Sequence, residues 1–417
     1  MSAESSWPCG SERLRRKAPS CIALCVELTY RPASSIEDSL AFERLVVTCF
    51  AFPPEHVSQW MKRIGLANVR LLSDGRSTPA GLAIIPMGQW FGGRSVTCAG
   101  IAAVAVAPEA RNRGLGRRVM ESVVRELAAS DSALSCLYPA TLPLYRSVGY
   151  ELAGGRYESR VAALALPNSK STLEIVPLAA IDDAAMRACY SEAAALGNGS
   201  LDRGRAMWER VRENRNEVRD GYAVVDRDGR VRAYAWFVRQ RTASGLAHDL
   251  LTSDLCVADR EGALALAGFF HRHRSMVHDV VWNGGAHDPF RDSLPEIGVT
   301  TQLASPWMTR IIDVVRAFEQ RGFAPALTAR LELEIEDPLC ADNHGRFVLE
   351  VEEGTARVSR GGAGRVVVPI TDLAAIYTGY ASAETRARFG GVRGEARELA
   401  LFSSLFAGAA PAMPDMF

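Results

Sequence analysis

A chain of 417 residues is long enough for one to three domains with a substantial core, and the pattern below favours three. Hydrophobic residues make up 48% and charged residues 23%, the ordinary balance of a soluble globular protein. With 48 basic against 48 acidic residues no global charge recruits nucleic acid or an anionic bilayer, no basic stripe or base-reading element is present, and no apolar run reaches the roughly 18 residues that cross a membrane.

Residues 1–28 read as an N-terminal extension whose order the sequence leaves open. Its run Cys21-Ile-Ala-Leu-Cys25 follows Arg13, Arg15, Arg16 and Lys17 as an export signal would, but Glu27 interrupts the continuation, so the expected location is cytoplasmic. Nine cysteines, odd in number and widely spread, agree with reduced, mostly buried thiols. Cys21 and Cys25 lack a nearby Cys/His pair, and His271 and His273, two apart, would point in different directions on a helix. No metal is expected.

A first domain spans 29–168. Helices are read at Ile36–Phe50 and Glu55–Ile64, and strands at Val69–Leu72, Ala80–Met87 and Val96–Val106, with Phe91-Gly-Gly-Arg94 as a tight turn. After Gly116 the apolar stripe Met120, Val123, Val124, Leu127 alternates with charge, which marks an amphipathic helix. Short strands follow at Ser135–Leu137 and from Tyr150. Beyond the polar stretch 167–172, a second domain covers 173–303, with helices at Asp182–Leu196 and Arg203–Arg212 and strands at Gly221–Val225 and Arg230–Arg239 around the turn Asp226-Arg-Asp-Gly229. The order strand Asp249–Val257, helix Asp259–Arg274, strand Val277–Trp282 echoes the first domain without its glycine loop. The third unit, 304–417, reads as a separate α+β domain, with helices at Ile311–Arg321, Ile370–Tyr377 and Glu395–Phe406 and strands at Leu327–Ile335, Arg346–Val351 and Val366–Pro369 around the turn Asp342-Asn-His-Gly345.

The most informative stretch is Ile101–Gly116, a strand-like run, a basic glycine-spaced turn and the start of a helix. Consecutive backbone N–H groups at a helix N-terminus hold a pyrophosphate with little side-chain help, so the pattern points to a nucleotide-containing acyl donor. Gly114 and Gly116 remove Cβ atoms where backbone meets anion, and Arg111, Arg113, Arg117 or Arg118 could add charge-assisted bonds. A plain strand-to-helix turn is the competing reading. Trp60, Trp90, Phe91 and Trp236 could line an acceptor cavity or simply pack in cores.

Through Val104-Ala-Val-Ala-Pro108 and Arg111-Asn-Arg-Gly114-Leu-Gly116 the chain resembles the GCN5-related N-acetyltransferases. It is more specifically similar to the enhanced intracellular survival (Eis) family, through Ala99-Gly-Ile101, Leu144-Tyr-Arg-Ser-Val-Gly-Tyr150, Trp307-Met-Thr-Arg-Ile-Ile-Asp313, Asn343-His-Gly345, Tyr377-Thr-Gly-Tyr380 and the terminal Pro414-Asp-Met-Phe417. The resemblance implies two tandem N-acetyltransferase-type domains, the second degenerate, then a sterol-carrier-like domain. It implies acetyl-CoA as acyl donor, held by Val104, Val106, Arg111, Asn112, Arg113, Gly114, Gly116 and Arg117. Asn112 stands where the family commonly has arginine. Also implied are Tyr145 as acid to the leaving thiolate, the α-carboxylate of Phe417 as base, a hexamer, and an amine of an aminoglycoside, other small molecule or lysine peptide as acceptor. Tyr145 as an amphipathic packing residue and the terminus as a frayed tail are the plainer readings. A CoA-binding regulatory protein without turnover and a lipid-binding scaffold are the alternatives to an enzyme.

Overall fold

The computed structural model describes residues 27–169, 171–213, 219–242, 245–296 and 298–417. Cys9, Cys21, Cys25 and nearly all of the N-terminal extension lie outside them. A 13-stranded mixed sheet carries the first two units and a five-stranded sheet carries the third. No helix among the described residues is long and apolar enough to cross a membrane.

Local chemistry places the first elements where the sequence suggests. Ser35 caps the helix Ile36–Phe50 by accepting from the Asp38 amide at 3.1 Å, satisfying a donor the helix start leaves open. Gly92 and Gly93 take φ of 59° and 83° between the antiparallel strands Ala80–Phe91 and Arg94–Val106, the two positive angles that a two-residue hairpin turn requires. The helix Leu115–Ala128 buries Val119, Met120, Val123, Val124 and Leu127, each contributing roughly 1.5–3 kcal/mol, and leaves Arg117, Arg118 and Arg125 outside.

The strand Thr300–Ile311 departs from expectation. It runs across the expected boundary at 303, threading between Leu134–Leu137 and Glu151–Ala162 and pairing antiparallel with both. The expected helix Ile311–Arg321 is correspondingly shortened to Val314–Gln320, capped by Asp313, because Met308–Ile311 is still held in the ladder opposite Leu134–Leu137. Arg310 on that strand is fully buried and pairs at 2.8 Å with the fully buried Asp337, which also accepts from the amides of Leu339 and Cys340. That ion pair ties the large sheet to the third unit.

In the second unit the strand His248–Val257 pairs parallel with Val277–Gly284 across the helix Arg260–His271, repeating the arrangement around Leu115–Ala128. Its helix start is closed to anions. The Asp259 carboxylate caps it, accepting from the Gly262 amide at 2.9 Å and from Arg232 at 2.5 Å. The third unit stacks the helices Ile370–Tyr377 and Ala396–Phe406 on its sheet, with Phe318, Tyr377, Phe402 and Phe406 in mutual ring contact. The six described cysteines are free thiols, with Cys98 and Cys136 3.5 Å apart at sulfur.

Candidate active site

Two neighbouring parallel strands part at the centre of the first unit. Arg94–Val106 pairs with Leu134–Leu137 only at Cys98, Ala99 and Gly100, and beyond Gly100 the edge of Ile101–Val106 has no partner strand on that side among the described residues. Ala103 takes φ of 51° where the pairing with Ala80–Phe91 shifts register, a bulge that leaves extra backbone out of the ladder. An extended amide-bearing ligand finds unpaired main-chain groups along this edge.

The strand leads into the glycine-spaced loop. Asn112 (φ 60°) and Gly114 (φ 74°) are both left-handed, a conformation glycine adopts freely and asparagine tolerates better than arginine does, so residue 112 suits its backbone. Gly114 is the N-cap of Leu115–Ala128 and offers no side chain, leaving the first helical N–H groups without a side-chain cap. A Cβ on Gly116 would sit 3.5 Å from Leu144 and 3.7 Å from Val106, so packing within the protein does not demand glycine there. Among the basic side chains, Arg111 folds back to the Val106 carbonyl at 3.3 Å, Arg117 pairs with Glu121 at 2.7 Å, Arg118 donates to the Leu28 carbonyl, and Arg113 is exposed.

Tyr145 sits on the short helix Leu142–Arg146 and is buried. Desolvation alone pushes its phenol up to about 12, so the proton is present at neutral pH. Its ring meets Tyr150 edge-on at 6.3 Å. Tyr150 is a core residue: fully buried, it donates to Ser135 at 2.7 Å, since the Ser135 hydroxyl is spent on the Ala99 carbonyl.

Tyr145, Ile101–Val104 and Phe417 line one cavity of about 290 Å³, together with Phe50, Phe52, His56, Trp60, Tyr138, Arg210 and Met416. Phe417 packs on the strand where it parts from its neighbour: a Cβ on Gly100 would fall 2.8 Å from the Phe417 ring. Of the aromatic residues considered from sequence, Trp60 lines the cavity. Phe91 is buried against Tyr377, and Trp90 and Trp236 pack in a cluster of the second unit.

The last six residues are held along their length, by groups the sequence reading did not single out. The Ala412 amide donates to Asn198, the Met413 amide to Gly155, and Arg156 to the Pro414 carbonyl at 3.2 Å. Tyr138 Oη lies 2.8 Å and 2.7 Å from the carbonyls of Met413 and Asp415, and burial pushes its pKa up, keeping the donor proton in place. Asp415 is buried against Arg203 at 2.9 Å, and Arg203 also bonds Asp254 at 2.6 Å and stacks 3.9 Å over Tyr190. Burial works against the Arg203 cation, yet Asp254 and Asp415 hold its pKa well above the ordinary arginine value. The second unit, closed to anions at its own helix, thus supplies the anchor for the tail.

The chain is similar to a solved GCN5-related N-acetyltransferase from Anabaena variabilis, at 32% identity over 94% of this chain and 100% of that one, with a TM-score of 0.89. This chain belongs to the GCN5-related N-acetyltransferases. Models of an acetyltransferase (GNAT) domain match residues 29–153 and 199–311, and a sterol carrier protein domain matches 314–414. A GCN5-related N-acetyltransferase from Kribbella flavida is 26% identical over 94% of this chain and 99% of its own, with a TM-score of 0.80. Eis1 from Mycobacterium abscessus shares the fold, at 20% identity over 94% and 100% of the two chains and a TM-score of 0.77. No curated protein matches. As a GCN5-related N-acetyltransferase the protein is an acyl-CoA-dependent enzyme acting on amines, built of two acetyltransferase domains and a sterol-carrier domain. The strand Thr300–Ile311 ends where the second acetyltransferase match ends, although it pairs within the first domain's part of the sheet.

Proposed function

We propose that the enzyme transfers acetyl from acetyl-CoA directly to a primary amine inside the 290 Å³ cavity. The observation that carries this reading is the convergence of Tyr145, the unpaired strand edge and Phe417 on that one space. The donor's amide-bearing arm lies along Val104 and Val106, and its phosphates meet the N–H groups of Arg111 to Arg117 at the uncapped helix start. Backbone N–H groups beside the Ala103 bulge polarise the thioester carbonyl. The amine nitrogen attacks that carbon, its proton passes to the Phe417 α-carboxylate directly or through water, the C–S bond breaks, and Tyr145 supplies a proton to sulfur. Products are the acetamide and CoA thiol, with both protein groups returned to their starting states by solvent exchange. A free α-carboxylate is a weak base, with a reference pKa of about 3.3–3.7, so its worth lies in position.

Aminoglycosides, other small amines and lysine peptides are acceptors to try, in a cytoplasmic protein assembled as a hexamer. The decisive experiment measures CoA release and acetylated product across an amine panel. Turnover abolished by deleting Phe417, with acetyl-CoA binding retained, supports the scheme. Unchanged turnover and pH dependence in that variant would remove the terminal base, and acetyl-CoA binding without release of CoA for any amine would favour a regulatory protein.

A further inference from the structure

The cavity carries information about the far end of the acceptor. Part of its wall is aromatic: Phe50 and Phe52 stack at 5.9 Å with planes 11° apart, and Trp60 also lines the space. Among the described residues none of the side chains lining it is a carboxylate, and the permanently charged one is Arg210. Arg210 projects from the second domain's helix Arg205–Arg212, which packs against Pro54–Ile64. No residue of the loop 107–117 lines the same space, so Arg210 lies apart from the loop proposed to meet the donor's phosphates.

The Arg210 guanidinium has no hydrogen bond or ion pair with a described side chain. Asp415, the acid close enough to act on it, is already bonded to Arg203. Arg63, Arg156 and Arg219 add further positive charge around it. Burial lowers the Arg210 pKa to about 10, opposed by Asp415 and reinforced by the neighbouring arginines, so the group is cationic at neutral pH. A partly desolvated cation without a counter-ion is costly, and a ligand anion removes that cost.

We propose that the acceptor is an amine that also bears an anionic group on an apolar or aromatic body, its amine at Phe417 and its anion at Arg210, and that polycations are poor acceptors. This deepens the acetyl-transfer reading and rests on it. Two opposite charges of the acceptor then meet two opposite charges of the protein, whereas a polycation brings further positive charge to Arg210 and finds no side-chain acid among the described lining residues.

The test compares 4-(aminomethyl)benzoate, benzylamine and spermidine in two assays: CoA release, and calorimetric binding to the full chain saturated with CoA. Expected is a kcat/KM preference for 4-(aminomethyl)benzoate over each of the others of about tenfold, the equivalent of roughly 1.4 kcal/mol. Arg210→Met, which keeps the stem's packing, should bring the ratio to benzylamine near one through KM, and Arg210→Lys should retain part of it. Spermidine preferred by the wild type, or a ratio unmoved in Arg210→Met, overturns the proposal. Should no amine release CoA, Arg210-dependent binding of 4-(aminomethyl)benzoate still supports the acceptor chemistry while the transfer reading falls. Binding indifferent to Arg210 overturns the acceptor chemistry whatever the activity.

Discussion

Tyr145 keeps its proton because burial penalises the phenolate, and the same burial limits how it can act. With the phenol at about 12 and a free thiol near 8.5, full proton transfer to an exposed thiolate is uphill by about 5 kcal/mol. In the transfer proposed above, the favourable act is a hydrogen bond donated as the C–S bond breaks, with transfer completed as charge localises on a sulfur that is itself desolvated. Tyr145→Phe should therefore lower kcat by about 10²-fold, the lower end for general acids, with acetyl-CoA affinity unchanged in equilibrium binding. Any limb of the kcat profile below about pH 10 should survive in that variant, because Tyr145 does not titrate there. The sequence singles out Tyr145 because the run that marks it, Leu144 through Tyr150, is contiguous. It does not single out Arg203 and Tyr138, since each acts on a tail more than 200 residues away in the chain and nothing local marks them.

At the scale of elements, the terminal segment behaves as a strap whose last carboxylate is aimed by a buried ion pair two residues upstream. Asp415→Asn keeps the shape and removes the charge that Arg203 balances. Turnover should fall by about tenfold or more while acetyl-CoA binding is retained, because the terminal carboxylate proposed as base is displaced and the proposed donor site is not. Equal turnover in stopped assays would mean that Tyr138 and the backbone bonds seat the tail unaided. The strand Thr300–Ile311 poses a different case. Its Trp307-Met-Thr-Arg-Ile-Ile run has no period that separates strand from helix, and pairing with two distant strands decides the matter. Its Arg310 is tolerable in the core only with Asp337, so Asp337→Ala should destabilise by about 3–5 kcal/mol, read as a lower urea midpoint.

The whole molecule stores an alkaline limit in its tyrosines. Tyr30, Tyr138, Tyr145, Tyr150, Tyr190, Tyr234 and Tyr377 all have pKa values raised mainly by burial. Folded values above the unfolded value of about 10 mean that stability is full below that pH and drains as pH rises. The unfolded chain ionises first, and the loss per tyrosine grows by about 1.4 kcal/mol per pH unit until the folded group titrates, near about 12 for Tyr145. Urea midpoints should fall between about pH 9 and pH 11, with tyrosinate absorbance rising together with unfolding. Ten tyrosines titrating near pH 10 in a folded protein would contradict the burial described.

What the sequence determined by itself is what short-range physics governs: the two positive-φ glycines of the hairpin, the amphipathic helix after Gly116, and the glycine-spaced loop before it, whose groups are neighbours along the chain. The three-unit order follows from the same local periods. Only the tertiary structure decided which side chains anchor the chain's end and that Arg210 lines the same cavity. Those contacts join residues more than 50 and up to 324 positions apart. No local period encodes such pairings, because their energy comes from burial and charge matching that exist only once the sheet has closed.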